Sequence, residues 1–128
     1  MGHSFATVLN CMDGRVQLPI TLYLLDRFGV EFLDTITEAG IVRYFSGETD
    51  SSQTEAALHS IRISLDKHGS RQIAIAAHDD CAANPIQAHQ QQDQVIEGAA
   101  FLKNRFPQCD ILGLWVDDAR KVHEIAPS

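Results

Sequence analysis

Cys11, His78 and Cys81 offer two thiols and an imidazole within one chain. As thiolates and a neutral ring, these are donors that zinc takes in a tetrahedral arrangement. His78 and Cys81 stand in H-x-x-C spacing, which lets both reach one ion from a single loop, and Cys11 supplies a distant third point. Three protein ligands leave the fourth position open, which marks a catalytic site rather than a structural one. The third cysteine, Cys109, opens an expected strand with no partner motif and reads as a core or surface thiol. An odd cysteine count, together with a start (Met1-Gly2-His3-Ser4) that has no basic region and apolar run, points to free thiols in a reducing, cytoplasmic compartment.

Asp13 and Arg15 follow Cys11 at two and four residues. In an extended C-x-D-x-R segment all three side chains project to one side, and Gly14 permits close backbone approach. Asp13 and Arg15 can then pair bidentately, which keeps the carboxylate ionised. Beside a zinc-bound hydroxide, such a carboxylate accepts the hydrogen and aims the oxygen lone pair at an electrophile. Taken alone, the pair is an ordinary loop salt bridge worth little; its distance from Cys11 favours a role. Asp79 and Asp80 fit a turn cap and a solvated group. His3, His59, His68, His89 and His123 share no ligand spacing with the site, although His89 is close enough in sequence to act as a proton shuttle. Gln90 to Gln92 reads as a solvated helix face. Tyr44, Phe45 and Trp115 suit either the site or the core.

The elements that must position these residues alternate between two periods. Residues 4–10 read as a buried strand and 17–28 as a helix with Leu18, Leu22, Leu25 and Phe28 on its apolar face. Pro19 falls near the start of that helix and Gly29 at its end. Residues 30–37 form a second strand, and Ser52 with Glu55 reads as a capping box. The helix it opens carries Leu58, Ile61 and Leu65 and stops at Gly69. Residues 71–77 are an apolar strand of the kind buried in parallel sheets. A third helix carries Val95, Ala99, Leu102 and Phe106, with Pro107 as its stop. Strands at 110–116 and 121–125 complete the chain.

This alternation predicts an α/β fold in one domain, residues 1–128, with a mostly parallel sheet flanked by helices. The expected strand order is 2-1-3-4, with strand 5 antiparallel on the edge. Strands one and three are then neighbours with connections leaving in opposite directions, so the loops CMDGRV and HDDCAAN meet at a topological switch point. The 128 residues suffice for a core of their own. A net charge of −7 with no basic cluster argues against nucleic acid as a partner. No apolar stretch approaches the length of a membrane span.

CMDGR (residues 11–15) and HDDC (residues 78–81) resemble the C-x-D-x-R and H-x-x-C motifs of the β-class carbonic anhydrases. The resemblance extends loosely over the chain: a helix after the first motif, a strand ending near Ala39-Gly40, and a strand leading into H-x-x-C. It implies zinc on Cys11, His78 and Cys81, and an Asp13–Arg15 dyad that gates and orients the fourth ligand. It also implies reversible hydration of carbon dioxide to bicarbonate by zinc-bound hydroxide, in a homodimer. The chain is shorter than most of the family and lacks the N-terminal helical arm. Glu38 stands where a small residue such as Asn usually precedes Ala-Gly, and Ala82 stands where Gly usually follows the second cysteine. A carboxylate at the end of strand two would repel bicarbonate or raise the pKa of bound water. The same motifs also suit a zinc hydrolase for carbonyl sulfide or carbon disulfide, and a non-catalytic zinc- or anion-binding protein.

Overall fold

A computed structural model describes residues 4–127. His3 lies outside the described residues. The strands are β1 (Phe5–Asn10), β2 (Phe32–Thr37), β3 (Gln72–His78), β4 (Asp110–Val116) and β5 (Val122–Ala126). The helices are α1 (Gly14–Phe28), α2 (Ser52–His68) and α3 (Ala88–Arg105), with a 3-10 turn over Ile41–Phe45. The sheet order is β2-β1-β3-β4-β5. All pairings are parallel except β4 with β5. The fold is therefore the α/β arrangement that the alternation predicts.

Two apolar layers sandwich the sheet. Val16, Ile20 and Leu24 of α1 pack on Val8, Ala74, Ala76, Leu112, Leu114 and Val116. Alternate strand residues, including Leu9, Ile73, Ile75 and Ala77, face the other way onto Leu58 and Ile61 of α2 and Val95 and Leu102 of α3. The period of two along β1 and β3 thus serves both layers. Because α1 covers one face and α2 and α3 the other, the β1 and β3 connections diverge, and a crevice opens at the carboxyl ends of these strands.

The structure corrects four local expectations. Helix α1 begins at Gly14, not at residue 17, with Asp13 as its N-cap. Pro19 therefore sits inside the helix. The earlier start admits Val16 as the first member of a Val16–Ile20–Leu24 stripe, while Leu18 and Leu22 are 65% and 60% exposed. Both stripes satisfy helical spacing, and burial of a large aliphatic side chain is worth about 1.5–3 kcal/mol, so the face with three fully covered members wins. The cap of α2 is Ser51, whose hydroxyl accepts from the Thr54 N–H at 3.0 Å, rather than Ser52 paired with Glu55. Finally, Gln91 is not solvated: it is 1% exposed and accepts a hydrogen bond from Trp115 Nε1 at 2.9 Å.

Candidate metal centre

Strand geometry places the three candidate ligands at one end of the sheet. Cys11 follows the last residue of β1, His78 is the last residue of β3, and Cys81 lies in the turn after it. The two strands are parallel neighbours, with Leu9 opposite Ile75. The possible ligand atoms of Cys11, His78 and Cys81 all lie within 4.8 Å of one another, and all three residues are buried. Among the described residues, no carboxylate joins this group.

The donor set fits a soft dication. The Cys11 and Cys81 sulfurs are 3.8 Å apart. In this pair the Cys11 thiol is pushed down, chiefly by its hydrogen bond with Cys81. Cys81 is pushed up by that same contact and by burial. Two adjacent buried thiolates repel, so without a cation the pair keeps one proton; a dication removes that conflict. His78 Nδ1 lies 2.8 Å from the Asp79 carbonyl. A carbonyl can only accept, so Nδ1 carries the proton and Nε2 is the nitrogen left to ligate a cation. That Nε2 is buried and has no hydrogen-bond partner among the described residues. A buried, unpartnered ring nitrogen is costly unless something engages it, and an ion ligated by both sulfurs would do so.

Backbone donors surround the sulfurs. Gly40 N–H points at Cys11 Sγ at 3.4 Å, and the Ala83 and Asn84 N–H groups favour the ionised form of Cys81. Gly40 is in the left-handed region with φ 59°, and an added Cβ would lie 3.2 Å from Ala83 and Asn84 atoms. The ends of β1, β2 and β3 therefore converge on Cys11. Asn84 and Gln91 join the three ligands and Gly40 in lining a cavity of about 10 Å³, roughly the volume one water-sized sphere needs.

Asp13 and Arg15 do pair, although not in an extended segment. Asp13 caps α1, with Oδ1 accepting from Arg15 N at 2.9 Å. Arg15 then folds back, Nε donating to Oδ1 at 3.0 Å and Nη2 to Oδ2 at 2.7 Å. The guanidinium holds the Asp13 carboxyl well below the usual carboxylate range. Arg15 also reaches the second loop, through the Asp80 carbonyl at 3.1 Å and the Asp80 carboxylate at 3.3 Å. Asp80 adopts φ 58°.

Other residues noted in the sequence lie elsewhere. Glu38 is exposed and lines a separate cavity with Ile41, Gln53 and Ala57. His68 pairs with Asp34 and His123 with Asp117. His59 and His89 are exposed. Cys109 is buried in the α2–α3 core layer, as is Phe45. Gln17, Gly40 and Gln91 were not legible as site residues. The Ala39-Gly40 pair was the one available signal, and a backbone donor carries no side-chain signature.

A protein-family model described as "Putative carbonic anhydrase" matches residues 1–126. No curated protein matches the sequence significantly. Among solved structures, the chain is similar to a carbonic anhydrase from Glaciozyma antarctica, with TM-score 0.67, 20% identity, and coverage of 94% of this chain and 81% of that one. It is also similar to isoform I of the β-carbonic anhydrase from Trichomonas vaginalis, with TM-score 0.63, 18% identity, and coverage of 94% and 81%. A β-carbonic anhydrase described as tetrameric, from Sordaria macrospora, gives TM-score 0.62 at 13% identity over 98% and 82%.

Proposed function

Because the chain belongs to this carbonic anhydrase family, matched over residues 1–126, we propose that it hydrates carbon dioxide reversibly to bicarbonate with one zinc ion held by Cys11, His78 and Cys81. The observation that carries the reading is the buried Cys–His–Cys group, with ligand atoms within 4.8 Å and an unpartnered His78 Nε2. Zinc bound there supplies Lewis acidity toward water, the source of a nucleophile near neutral pH.

The chain's own residues orient that chemistry. Asp13 is kept ionised by Arg15, so it can accept a hydrogen but not donate one. It therefore favours a neighbour that carries a proton, and turns that neighbour's lone pairs away from itself toward the carbon to be attacked. Because Arg15 spans both loops, the acceptor stays in fixed relation to the ligands.

The proposed assembly is a homodimer. Met12, Leu18 and Leu22 are 64%, 65% and 60% exposed, apolar surface that a second copy would cover. Sedimentation showing only monomer at micromolar concentration would reject the dimer. The activity is tested by stopped-flow hydration with zinc-loaded protein over roughly pH 6.5 to 9. Hydration above background that rises with pH is expected. None at any pH, with zinc present, would overturn the reading.

A further inference from the structure

We infer that Gln17 is a positioning residue that fixes the Cys11–Asp13 turn, an inference that rests on the proposed hydration chemistry. The turn joins β1 to α1, and the helix grips it at its far end, where the Asp13 carbonyl accepts from Val16 N at 3.3 Å. Gln17 holds it from the first turns of α1. Its Nε2 donates to the Cys11 carbonyl at 2.8 Å and to the Asp13 carbonyl at 2.8 Å, using both of its N–H bonds. Its Oε1 accepts from Asn10 Nδ2 at 3.1 Å. These partners fix the amide's orientation, because a flipped amide would set an oxygen against two carbonyl oxygens and an N–H against the Asn10 amide.

The clamp grips the residue that offers the first thiolate and the residue that offers the acceptor carboxylate. Arg15 fixes the Asp13 side chain, whereas Gln17 fixes the backbone from which that side chain departs. Asn10 completes the frame: it is 1% exposed, and its own carbonyl accepts from Glu38 N at 3.4 Å, which ties the clamp to the end of β2. A displacement of about 1 Å at a reacting geometry can cost ~100-fold in rate. A frame that sets the Cys11–Asp13 spacing therefore matters without touching substrate.

Two variants test this. Gln17→Met keeps the stem and removes all three hydrogen bonds. Gln17→Glu keeps the size and an acceptor for Asn10 but has no donor for either carbonyl. Either folded variant is expected to retain the parental zinc content and to lose about 10- to 100-fold in carbon dioxide hydration, through kcat rather than KM. Its cobalt-substituted form is expected to show d–d bands altered in energy and intensity. Parental kcat with a superimposable cobalt spectrum in either folded variant would overturn the inference. If the parental protein hydrates no carbon dioxide, the proposed activity fails, and the cobalt spectrum alone decides the clamp: altered bands support it and unchanged bands reject it.

Discussion

Arg15 Nη2 donates to the backbone carbonyl of Asp80 at 3.1 Å, so the segment after the first candidate ligand is held against the turn that follows His78 and carries Cys81. The same nitrogen grips the Asp13 carboxylate at 2.7 Å. Nε and Nη1 add bonds to the other Asp13 oxygen and to the Asp80 carboxylate, and the single nitrogen of a lysine cannot reproduce that fork. Arg15→Lys is therefore expected to lower carbon dioxide hydration by about 10- to 100-fold, with zinc content nearly unchanged. Stopped-flow rates beside metal analysis check this, and full activity in Arg15→Lys would show that point charge alone suffices.

Asp13→Asn keeps the shape of the cap and removes the charge. As an amide it can donate as well as accept, so it no longer selects a proton-bearing neighbour. A loss of about 100-fold or more is expected, in the range of removing a positioned acid–base group, with zinc retained. Unchanged turnover would exclude the dyad from the chemistry.

Metal removal should read out in stability. A ligand that binds only the folded state at a thousandfold excess over its dissociation constant stabilises it by about 4 kcal/mol. Calorimetry of chelated and zinc-loaded protein should show a marked rise in Tm on loading. Cys81→Ser should abolish that rise, because a hydroxyl does not replace a thiolate. A rise that survived in Cys81→Ser would place the metal elsewhere.

How much was readable without coordinates differs by layer. The strand order and the convergence of Cys11 with His78 and Cys81 followed from period and spacing alone, because a parallel sheet with divergent crossovers leaves few places for two such loops. The buried face of α1 did not follow. Two stripes have the same spacing, and the choice depended on Asp13 capping a helix that starts at Gly14. Gln91 was misread for a different reason. A glutamine is buried only when partners are supplied, and its partners, Trp115 and the Asn84 carbonyl, come from segments that its own neighbours in sequence do not announce.

Away from the site, Glu124 on β5 accepts from Tyr23 and from Arg27 Nε at 2.8 Å, fastening the outer edge of the sheet to α1. Arg27 and then Tyr23 hold the Glu124 carboxyl below its usual range. A depressed carboxylate stabilises the fold above its unfolded pKa, and that stabilisation is lost as pH falls through the folded pKa. Glu124→Gln should therefore be less stable than the parent at neutral pH, and the gap should close in acid. Burial first, and then Glu124, push the Tyr23 hydroxyl up to about 12, so the variant should also lower that pKa in an ultraviolet titration. A gap in Tm that held constant from neutral pH into acid would remove Glu124 from the acid limb.

Gly40 separates strain from site function. Its φ of 59° is costly for any residue with a Cβ, and an added Cβ would also press on Ala83 and Asn84 at 3.2 Å, in the loop that carries Cys81. Left-handed backbone costs an alanine about 1–2 kcal/mol, and here the contact adds to it. Gly69, at φ 71° with nothing within 4 Å of its Cβ position, offers a control with the strain and without the contact. Gly69→Ala should lower Tm by several degrees, roughly as 1–2 kcal/mol does in a domain of this size, and leave zinc affinity alone. Gly40→Ala should lower Tm at least as far and also weaken zinc binding, because relief of the contact moves either the Cys81 loop or the N–H that faces Cys11 Sγ at 3.4 Å. Competition titrations with a chromogenic chelator measure the affinity. Equal zinc affinity in the two variants would mean that the contact with Ala83 and Asn84 is relieved without moving either the Cys81 loop or the N–H that faces Cys11.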